Sequence, residues 1–356
     1  MINFCTLFDS NYLTRGLALH ESLMEVCPSF HLYVVAFNDD CYNYLQNAEI
    51  KNLTPISLHE FEDDKLLSVK QGRSPAEYCW TCTPSIILFC LNTFDLHSCI
   101  YIDADMLFYH NPQVLLDEMV SGSILISEHR YSRDYDVSDT HGIYCVQFMY
   151  FRNDEIGRNA LEWWRDRCIE WCYNFLEDGK FGDQKYLDDW TKRFPGVHVM
   201  QHPGGGIAPW NLQQFRFEKK GQQVIITDKK TNQKSPLVFF HFHGLKFFSD
   251  GLVSYSGPLY EMDNEVKTVL YIPYVKRLLQ LEKQLKEEGV SFNTSGAKHP
   301  SPEKFKIMIE YAKMLGILLL KRKASLFKSK NYNFKYHYHF YKIDQFEVQH
   351  GALDRS

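Results

Sequence analysis

Two aspartates follow an apolar, strand-like run in the first third of the chain. Asp103 and Asp105 come directly after Ile100-Tyr101-Ile102, with Ala104 between them. In an open α/β sheet, ligands bind beyond the carboxyl ends of the strands. Two carboxylates at such an edge suit Mg²⁺ or Mn²⁺, and that metal would in turn hold a diphosphate. A second D-x-D, Asp134-Tyr135-Asp136, has no strand before it and is interpreted as a solvated loop.

Another strand-like run, 238–242, leads into a second group of polar residues. His241, His243, Gly244 and Lys246 follow one another closely there. A neutral imidazole can complete the coordination of Mn²⁺, and a lysine can neutralise phosphate oxygens. Glycine lets the backbone approach a ligand. The alternative is a pair of strand histidines, one facing in and one out, and His-x-His also occurs in metal hydrolases.

Two weaker signals lie elsewhere in the chain. Asp9, Asn11 and Tyr12 follow the first strand-like run, where they could bind a nucleobase or simply form a turn and a helix cap. Asp183 and Gln184 follow a helix-like stretch and a glycine-containing loop. By itself, Asp183 is best interpreted as a helix N-cap.

The order and spacing of these four groups resemble the glycosyltransferases of the GT-A fold, and within them glycosyltransferase family 8, over roughly residues 2 to 250. The resemblance implies a divalent metal bound by Asp103, Asp105 and His241. For the uridine diphosphate part of a donor it implies contacts from Asp9, Asn11, Tyr12, Ala104, Gly244 and Lys246. For catalysis at the transferred sugar it implies Asp183 and Gln184 beside the two metal-binding aspartates.

The sequence departs from the family pattern at three places. Lys246 comes one residue early in the late H-x-x-G-x-x-K motif, which leaves His243 as an alternative ligand to His241. Cys145 stands where the family has an asparagine. The arginine that often precedes the D-x-D has no counterpart in 78–83. These departures indicate a divergent branch.

The elements that must position these residues alternate between strand and helix. We predict strands at 2–8, 31–37, 53–58, 99–102, 123–127, 145–151, 197–200, 224–227 and 238–242. We predict helices at 13–26, 41–48, 84–91, 157–176 and 266–285. This alternation favours an α/β fold with a mixed, mostly parallel sheet flanked by helices, as the resemblance to the GT-A (Rossmann-like) fold also implies.

Composition and charge change along the chain. The 356 residues are 45% hydrophobic and 23% charged, which is ordinary for a globular protein. We divide the chain into a catalytic domain, 1–265, and a helical, basic C-terminal extension, 266–356. Lys304–Lys342 contains ten Lys or Arg and one acidic residue, although the whole chain has a net charge of −5. This segment predicts contact with an anionic membrane surface; the alternative is a solvated helical face. The acidic remainder argues against nucleic acid as a partner.

The ten cysteines lie mostly in apolar runs, which is typical of core thiols rather than of a disulfide framework. Cys79 and Cys82 form a C-x-x-C that we interpret in the same way. No secretory signal is recognisable, and no uncharged apolar run reaches the roughly 20 residues of a membrane span. We therefore expect a cytoplasmic protein, with peripheral membrane association through the basic segment.

The function that follows is a metal-dependent glycosyltransferase. It is expected to move a hexose-type sugar from a UDP-sugar to a glycan or lipid-linked acceptor of the cell envelope, with Mn²⁺ or Mg²⁺ as cofactor. Family 8 implies retention of the anomeric configuration. Two alternatives stay open. One is a sugar-phosphate nucleotidyltransferase, although 8–15 lacks the usual glycine- and arginine-rich loop. The other is a non-catalytic relative that binds nucleotide sugars.

Overall fold

The computed structural model describes residues 1–119, 121–221, 223–256, 260–302, 312 and 340–347. Within these residues the strands are β1 Ile2–Phe8, β2 Phe30–Ala36, β3 Leu53–Ser57, β4 Ser98–Ile102, β5 Met106–Phe108, β6 Ile124–Glu128, β7 Tyr144–Arg152, β8 Val197–Val199, β9 Phe215–Lys220, β10 Gln223–Asp228, β11 Lys234–Pro236, β12 Phe239–His241, β13 Lys246–Phe247, β14 Leu252–Ser254 and β15 Phe340–Lys342. The helices are α1 Leu13–Val26, α2 Asp39–Asn47, α3 Leu58–Phe61, α4 Asp64–Lys70, α5 Pro75–Thr93, α6 Gln113–Leu116, α7 Ser138–His141, α8 Glu155–Glu170, α9 Trp190–Arg193, α10 Asn264–Val266, α11 Ile272–Glu287 and α12 Asp344–Glu347.

The largest sheet has seven strands in the order β3-β2-β1-β4-β7-β6-β8. Adjacent strands of this sheet are parallel, except that β7 runs antiparallel to both β4 and β6. The mixed, mostly parallel sheet flanked by helices is therefore confirmed, and it is the architecture that the resemblance to the GT-A fold implied. Because parallel neighbours need crossover connections, helices α1 and α2 lie between the first three strands along the chain.

Side chains of the central strands alternate between two hydrophobic clusters. On β1, Phe4 packs into the cluster that contains α1 and α11, whereas Cys5 packs into the one that contains α5 and α8. On the neighbouring β4, Ile100 and Tyr101 divide in the same way. Burial on both faces explains why these strands are apolar at nearly every position.

A separate two-stranded sheet positions the polar residues. Strand β5 begins directly after Asp105 and pairs antiparallel with β12, so that His241 stands opposite Met106. The peptide N–H of Phe242 then donates to the carbonyl of Asp105. The start of β5, which follows the two aspartates, and the end of β12, which carries His241, are thereby brought side by side.

Three predicted helices differ in extent from the observed ones. Helix α5 begins at Pro75, well before 84–91, because Ser74 and Glu77 form a capping box, and it continues through Pro84. Helix α8 ends at Glu170 instead of residue 176, and the indole of Trp171 turns to donate to Glu177. The stretch predicted as one helix over 266–285 starts with a wider π-type turn before α11.

The segment after residue 265 packs on the same core as the first strands. Helix α11 lies against α1 and adds Leu278 and Leu285 to the cluster that contains Phe4. Strand β15 pairs with β14, so residues 340–342 also belong to this body. The basic segment Lys304–Lys342 lies outside the described residues at 304–311 and 313–339. Among the helices that the structure describes, none is long and apolar enough to cross a bilayer.

We expect that removing the Ser22 hydroxyl will destabilise the contact between α1 and β5. This buried hydroxyl donates to Leu19 and accepts from the N–H of Phe108 at 3.0 Å. Ser22→Ala leaves that N–H unpaired, so the free energy of unfolding should fall by about 1–3 kcal/mol in a urea titration. Ser68→Ala is the control, since Ser68 makes the same kind of bond to Lys65 on an exposed helix face. Equal losses in the two variants would contradict the expectation.

Candidate metal centre and donor site

Two carboxylates and one imidazole converge at the carboxyl end of β4. The Nε2 atom of His241 lies 3.0 Å from Oδ1 of Asp105 and 3.7 Å from Oδ2 of Asp103. The other oxygen of Asp103 accepts a hydrogen bond of 3.0 Å from the hydroxyl of Tyr101. This set of two carboxylates and one imidazole could bind a divalent cation.

The charges of these three side chains shift one another's pKa values. Burial alone would raise the pKa of Asp105, but the charge and hydrogen bond of His241 lower it to about 2. Burial alone would lower the pKa of His241, but Asp105 raises it well above its ordinary value. Burial raises the pKa of Asp103. The Asp103 side chain is 28% exposed and that of Asp105 13%, so Asp103 is the more accessible of the two carboxylates.

The backbone around the group is fixed from two sides. The N–H of Asp103 donates to the carbonyl of Gln147 on β7, the antiparallel neighbour of β4. The N–H of His241 donates to the carbonyl of Ile207 in the loop 202–210. Asp103 and His241 are therefore held by backbone bonds to two further parts of the chain, and Asp105 is held by its bond from Phe242.

Three side chains surround His241, and sequence reasoning connected none of them with it. Oε1 of Gln147 lies 2.9 Å from Nδ1 of His241. The indole of Trp210 stands edge-on to the same imidazole, with ring centroids 5.6 Å apart. The thiol of Cys145 also contacts His241, and burial raises the pKa of that thiol. In the sequence, Cys145 is only the residue that stands where the family has an asparagine. A prediction that β7 pairs with β4 would have drawn attention to Cys145 and Gln147, because both lie on β7.

The N-terminal candidates form a compact turn at the end of β1. The carboxylate of Asp9 accepts from the backbone N–H of Asn11 at 3.0 Å and also from the side-chain amide of Asn11. Asp9 thus caps the 3₁₀ turn Ser10–Tyr12, as the turn-and-cap alternative predicted. Tyr12 as a residue is 39% exposed. Desolvation and the charge of Asp105 both raise the pKa of Tyr12 to about 12, which relates this turn to the carboxylate pair.

A buried arginine that was not predicted connects this turn to two distant segments. The guanidinium of Arg15 donates to the carbonyls of Ser295, at 3.0 Å, and Leu245, at 3.1 Å. It also lies 4.4 Å from the ring centroid of Tyr12. Arg15 was missed because its position inside α1 resembles an ordinary helical residue, and only the tertiary structure brings these carbonyls to it.

Asp183 and Gln184 lie in the segment that follows α8. Asp183 is buried, with 5% exposure, and it does not cap the following turn through its side chain, so the N-cap prediction is wrong. Burial, with the charge of Asp103 added, raises the pKa of Asp183 to about 8. Its backbone carbonyl accepts from the indole of Trp164. The side-chain amide of Gln184 donates to the carbonyl of His141 at 2.7 Å.

The remaining candidates lie around the carboxylate pair or just beyond β12. Ala104 is buried between the two aspartates. Gly244 has a φ of +79°, a conformation that favours glycine, and it turns the chain from β12 towards β13. His243 and Lys246 are exposed on either side of it. His241, rather than His243, is the histidine within reach of both aspartates.

Two other groups that could suggest metal binding have simpler explanations. The sulfur atoms of Cys5, Cys90 and Cys99 lie within 4.8 Å of one another in the core. Burial raises the pKa of Cys5 and Cys90, which favours their neutral thiols. Burial would also raise the pKa of Cys99, but hydrogen bonds with Cys5 and Cys90 lower it to about 5. The three thiols lie in the apolar core and hydrogen-bond to one another there. Asp134 and Asp136 of the second D-x-D are exposed, in agreement with their interpretation as part of a solvated loop.

Two proteins of Bacillus subtilis (strain 168) are similar in sequence to this chain. The chain belongs to the same family as the uncharacterized protein YfnF of Bacillus subtilis (strain 168), with 33% identity over 254 residues that cover 69% of this chain and 82% of YfnF. YfnD of the same organism is 29% identical over 280 residues, which cover 78% of this chain and 88% of YfnD. No family model matches the sequence.

Solved structures with similarity to this chain share little sequence with it. The galactosyltransferase LgtC, crystallised with donor and acceptor sugar analogues, is 12% identical and is aligned over 81% of this chain and 100% of its own, with a TM-score of 0.49. GlyE of Streptococcus pneumoniae TIGR4 is 13% identical, covering 56% and 46%, with a TM-score of 0.38. Mouse xyloside xylosyltransferase 1 is 13% identical, covering 58% and 87%, with a TM-score of 0.37. The family assignment rests on YfnF.

We expect Asp183 to make the stability of the metal-free protein depend on pH. Its raised pKa means that the folded state binds a proton that the unfolded state releases between pH about 4 and about 8. Stability from this group is therefore present at the lower pH and is lost as the pH rises. With EDTA present, the unfolding free energy of Asp183→Asn minus that of the wild type should increase with pH, by at most about 1.4 kcal/mol per pH unit. Asp178→Asn, in the exposed neighbouring loop, is the control for removal of an aspartate that is not buried. The same dependence on pH in both variants would contradict the expectation.

Proposed function

We propose that this chain is a metal-dependent glycosyltransferase that uses a UDP-sugar as donor. The observation that carries the proposal is the convergence of Asp103, Asp105 and His241 on one point at the carboxyl end of the sheet. The sequence order of the donor-site candidates supports it through the resemblance to the GT-A fold. In this proposal residues 1–265 carry the catalytic machinery and residues 266–356 form the basic extension.

The donor atoms fit Mn²⁺ well. Carboxylate oxygens from Asp103 and Asp105 suit both Mg²⁺ and Mn²⁺, and the imidazole of His241 favours Mn²⁺ because Mg²⁺ prefers oxygen ligands. When bound, the cation supplies Lewis acidity to the diphosphate leaving group. The pairing of β5 with β12 positions these ligands, because β5 begins directly after Asp105 and β12 ends at His241.

The uridine end of the donor would lie at the turn after β1. Asp9 and Asn11 present polar groups there, and the partly exposed ring of Tyr12 offers a face for stacking on the base. Arg15 fixes the ring from behind and binds Leu245, the residue before Lys246. We assign Lys246, at the exposed start of β13, to the diphosphate as a positive charge.

The transferred sugar would lie near Asp183 and Gln184. The raised pKa of Asp183 favours its protonated form in the metal-free protein, and a protonated carboxyl is a poor nucleophile. We therefore assign Asp183 to contacts with sugar hydroxyls, beside Gln184. Transfer of a hexose-type sugar with retention, by substitution on the face from which the phosphate departs, is the outcome that the resemblance to family 8 favours.

For the acceptor we propose a glycan or lipid-linked molecule at an anionic membrane surface. The support is the composition of Lys304–Lys342, with its ten basic residues among Phe, Tyr and Leu. Each basic residue near an anionic leaflet contributes about 1 kcal/mol before screening by salt. This assigns the protein to the cytoplasmic side of that membrane, as a peripheral rather than a spanning protein.

Removal of one carboxylate should abolish most of the activity. We expect Asp105→Asn or Asp103→Ala to lower Mn²⁺-dependent release of UDP from a UDP-sugar by about 10²–10³-fold, because the leaving group loses its electrostatic stabilisation. Asp134→Asn is the matched control, since it removes an exposed aspartate of the second D-x-D and should leave the rate unchanged.

The same assay separates the alternatives. Pyrophosphate formed from UTP and a sugar phosphate would identify a nucleotidyltransferase, and binding of UDP-sugar without any UDP release would identify a non-catalytic relative. An Asp103→Ala variant with unchanged rate and unchanged Mn²⁺ dependence would overturn the site assignment.

The basic segment should be removable without loss of the catalytic body. Ser301 donates its N–H to Asp250 at 3.0 Å, and Ile343 donates to the carbonyl of Gly251, so a short glycine-serine linker can replace residues 303–339. A truncation after Thr294 is less suitable because it also removes Ser295, a partner of Arg15. We expect the excised protein to lose flotation with anionic liposomes while it keeps UDP-sugar hydrolysis. A full-length variant with the Lys and Arg residues of 304–339 changed to Gln should behave likewise, and equal flotation of all three proteins would exclude this segment as the contact.

A further inference from the structure

Gln147 contacts both halves of the candidate metal centre. Its backbone carbonyl accepts from the N–H of Asp103, and its side-chain Oε1 lies 2.9 Å from Nδ1 of His241. The side chain is fully buried, at 0% exposure, on the strand next to β4. A long polar side chain in such a place is costly unless its hydrogen bonds are made, so its contact with His241 calls for a role.

That contact determines which nitrogen of His241 is available. A neutral imidazole carries one N–H, and a metal can bind only the nitrogen without it. An acceptor at Nδ1 holds the proton there and leaves Nε2 free, and Nε2 is the atom that faces Asp103 and Asp105. The same bond prevents rotation of the ring, which also packs edge-on to Trp210.

We propose that Gln147 is a positioning residue for a Mn²⁺ ion: its amide oxygen holds His241 with Nε2 directed at the two carboxylates. This inference rests on the proposed function, because it assumes that the three groups bind a metal. Gln147 would not itself touch the donor or the cation. Its effect is on the affinity and geometry of the ion, through His241.

The other end of the Gln147 amide makes a sharp variant possible. Its Nε2 is buried without a hydrogen-bond partner among the described residues, and so is Nη2 of Arg130. Both lie close to Gly206, whose missing Cβ would be 3.4 Å from the amide nitrogen and 2.9 Å from the guanidinium. Glutamate at position 147 would keep an acceptor for His241 and would turn a second acceptor towards the Arg130 side. Methionine would keep the length of the side chain and remove both polar atoms.

The test measures Mn²⁺ binding directly, by the loss of the free-ion signal in electron paramagnetic resonance. Gln147→Met should raise the dissociation constant for Mn²⁺ by about 10–100-fold, the usual effect of losing the partner of a ligating histidine. Gln147→Glu should stay within a few-fold of the wild type or bind more tightly. Thermal unfolding of each variant with EDTA shows whether it is folded.

The outcomes separate this inference from the proposed function. If the wild type does not bind Mn²⁺, the metal-dependent function fails and the inference fails with it. If the wild type binds the ion and folded Gln147→Met binds it equally well, only the inference is overturned. Should Gln147→Met not fold, nitrogen-15 spectra of histidine-labelled wild type with Zn²⁺, a diamagnetic ion that accepts imidazole ligands, decide. The inference requires a proton on Nδ1 of His241, and a proton on Nε2 instead would refute it.

Discussion

The pairing of β5 with β12 is the constraint on which the candidate site depends. Asp105 and His241 are far apart in the sequence, yet antiparallel registry sets His241 opposite Met106, and the bond from Phe242 to Asp105 extends that registry by one step. Side chains at the end of such a ladder have little freedom to separate. Two charges that would be costly to bury alone are thereby buried as a pair, with His241 stabilising the carboxylate of Asp105.

A second set of contacts holds the surroundings of the site together. Arg15 bonds to carbonyls from the loop after β12 and from the segment near residue 295, and it supports Tyr12 from behind. The turn after β1, the loop that carries Gly244 and the segment beyond α11 therefore meet at one guanidinium. Because that group is buried and each bond ends on a backbone carbonyl, no lysine could replace its geometry.

The fold was predictable from sequence where the chain alternates apolar strands with helices, and so was the acidic pair, since carboxylates at strand ends are visible in the sequence. The end of helix α8 at Glu170 was not predictable, because Trp171 continues the apolar periodicity of the helix while its indole donates to Glu177. Gln147 and Arg15 were also out of reach, for a different reason. Their partners lie on other elements, and no local pattern indicates which glutamine or arginine will meet a distant imidazole or carbonyl.

The two bonds at Asp250 and Gly251 have a wider consequence. Because residues 301 and 343 are both held at one hairpin, the entropy of closing the chain between them rises only with the logarithm of its length, roughly 0.6 kcal/mol for each doubling. The length of the chain between residues 302 and 340 can therefore vary with little change in closure entropy. Relatives could in this way acquire different destinations in the cell while they inherit one unchanged chemistry.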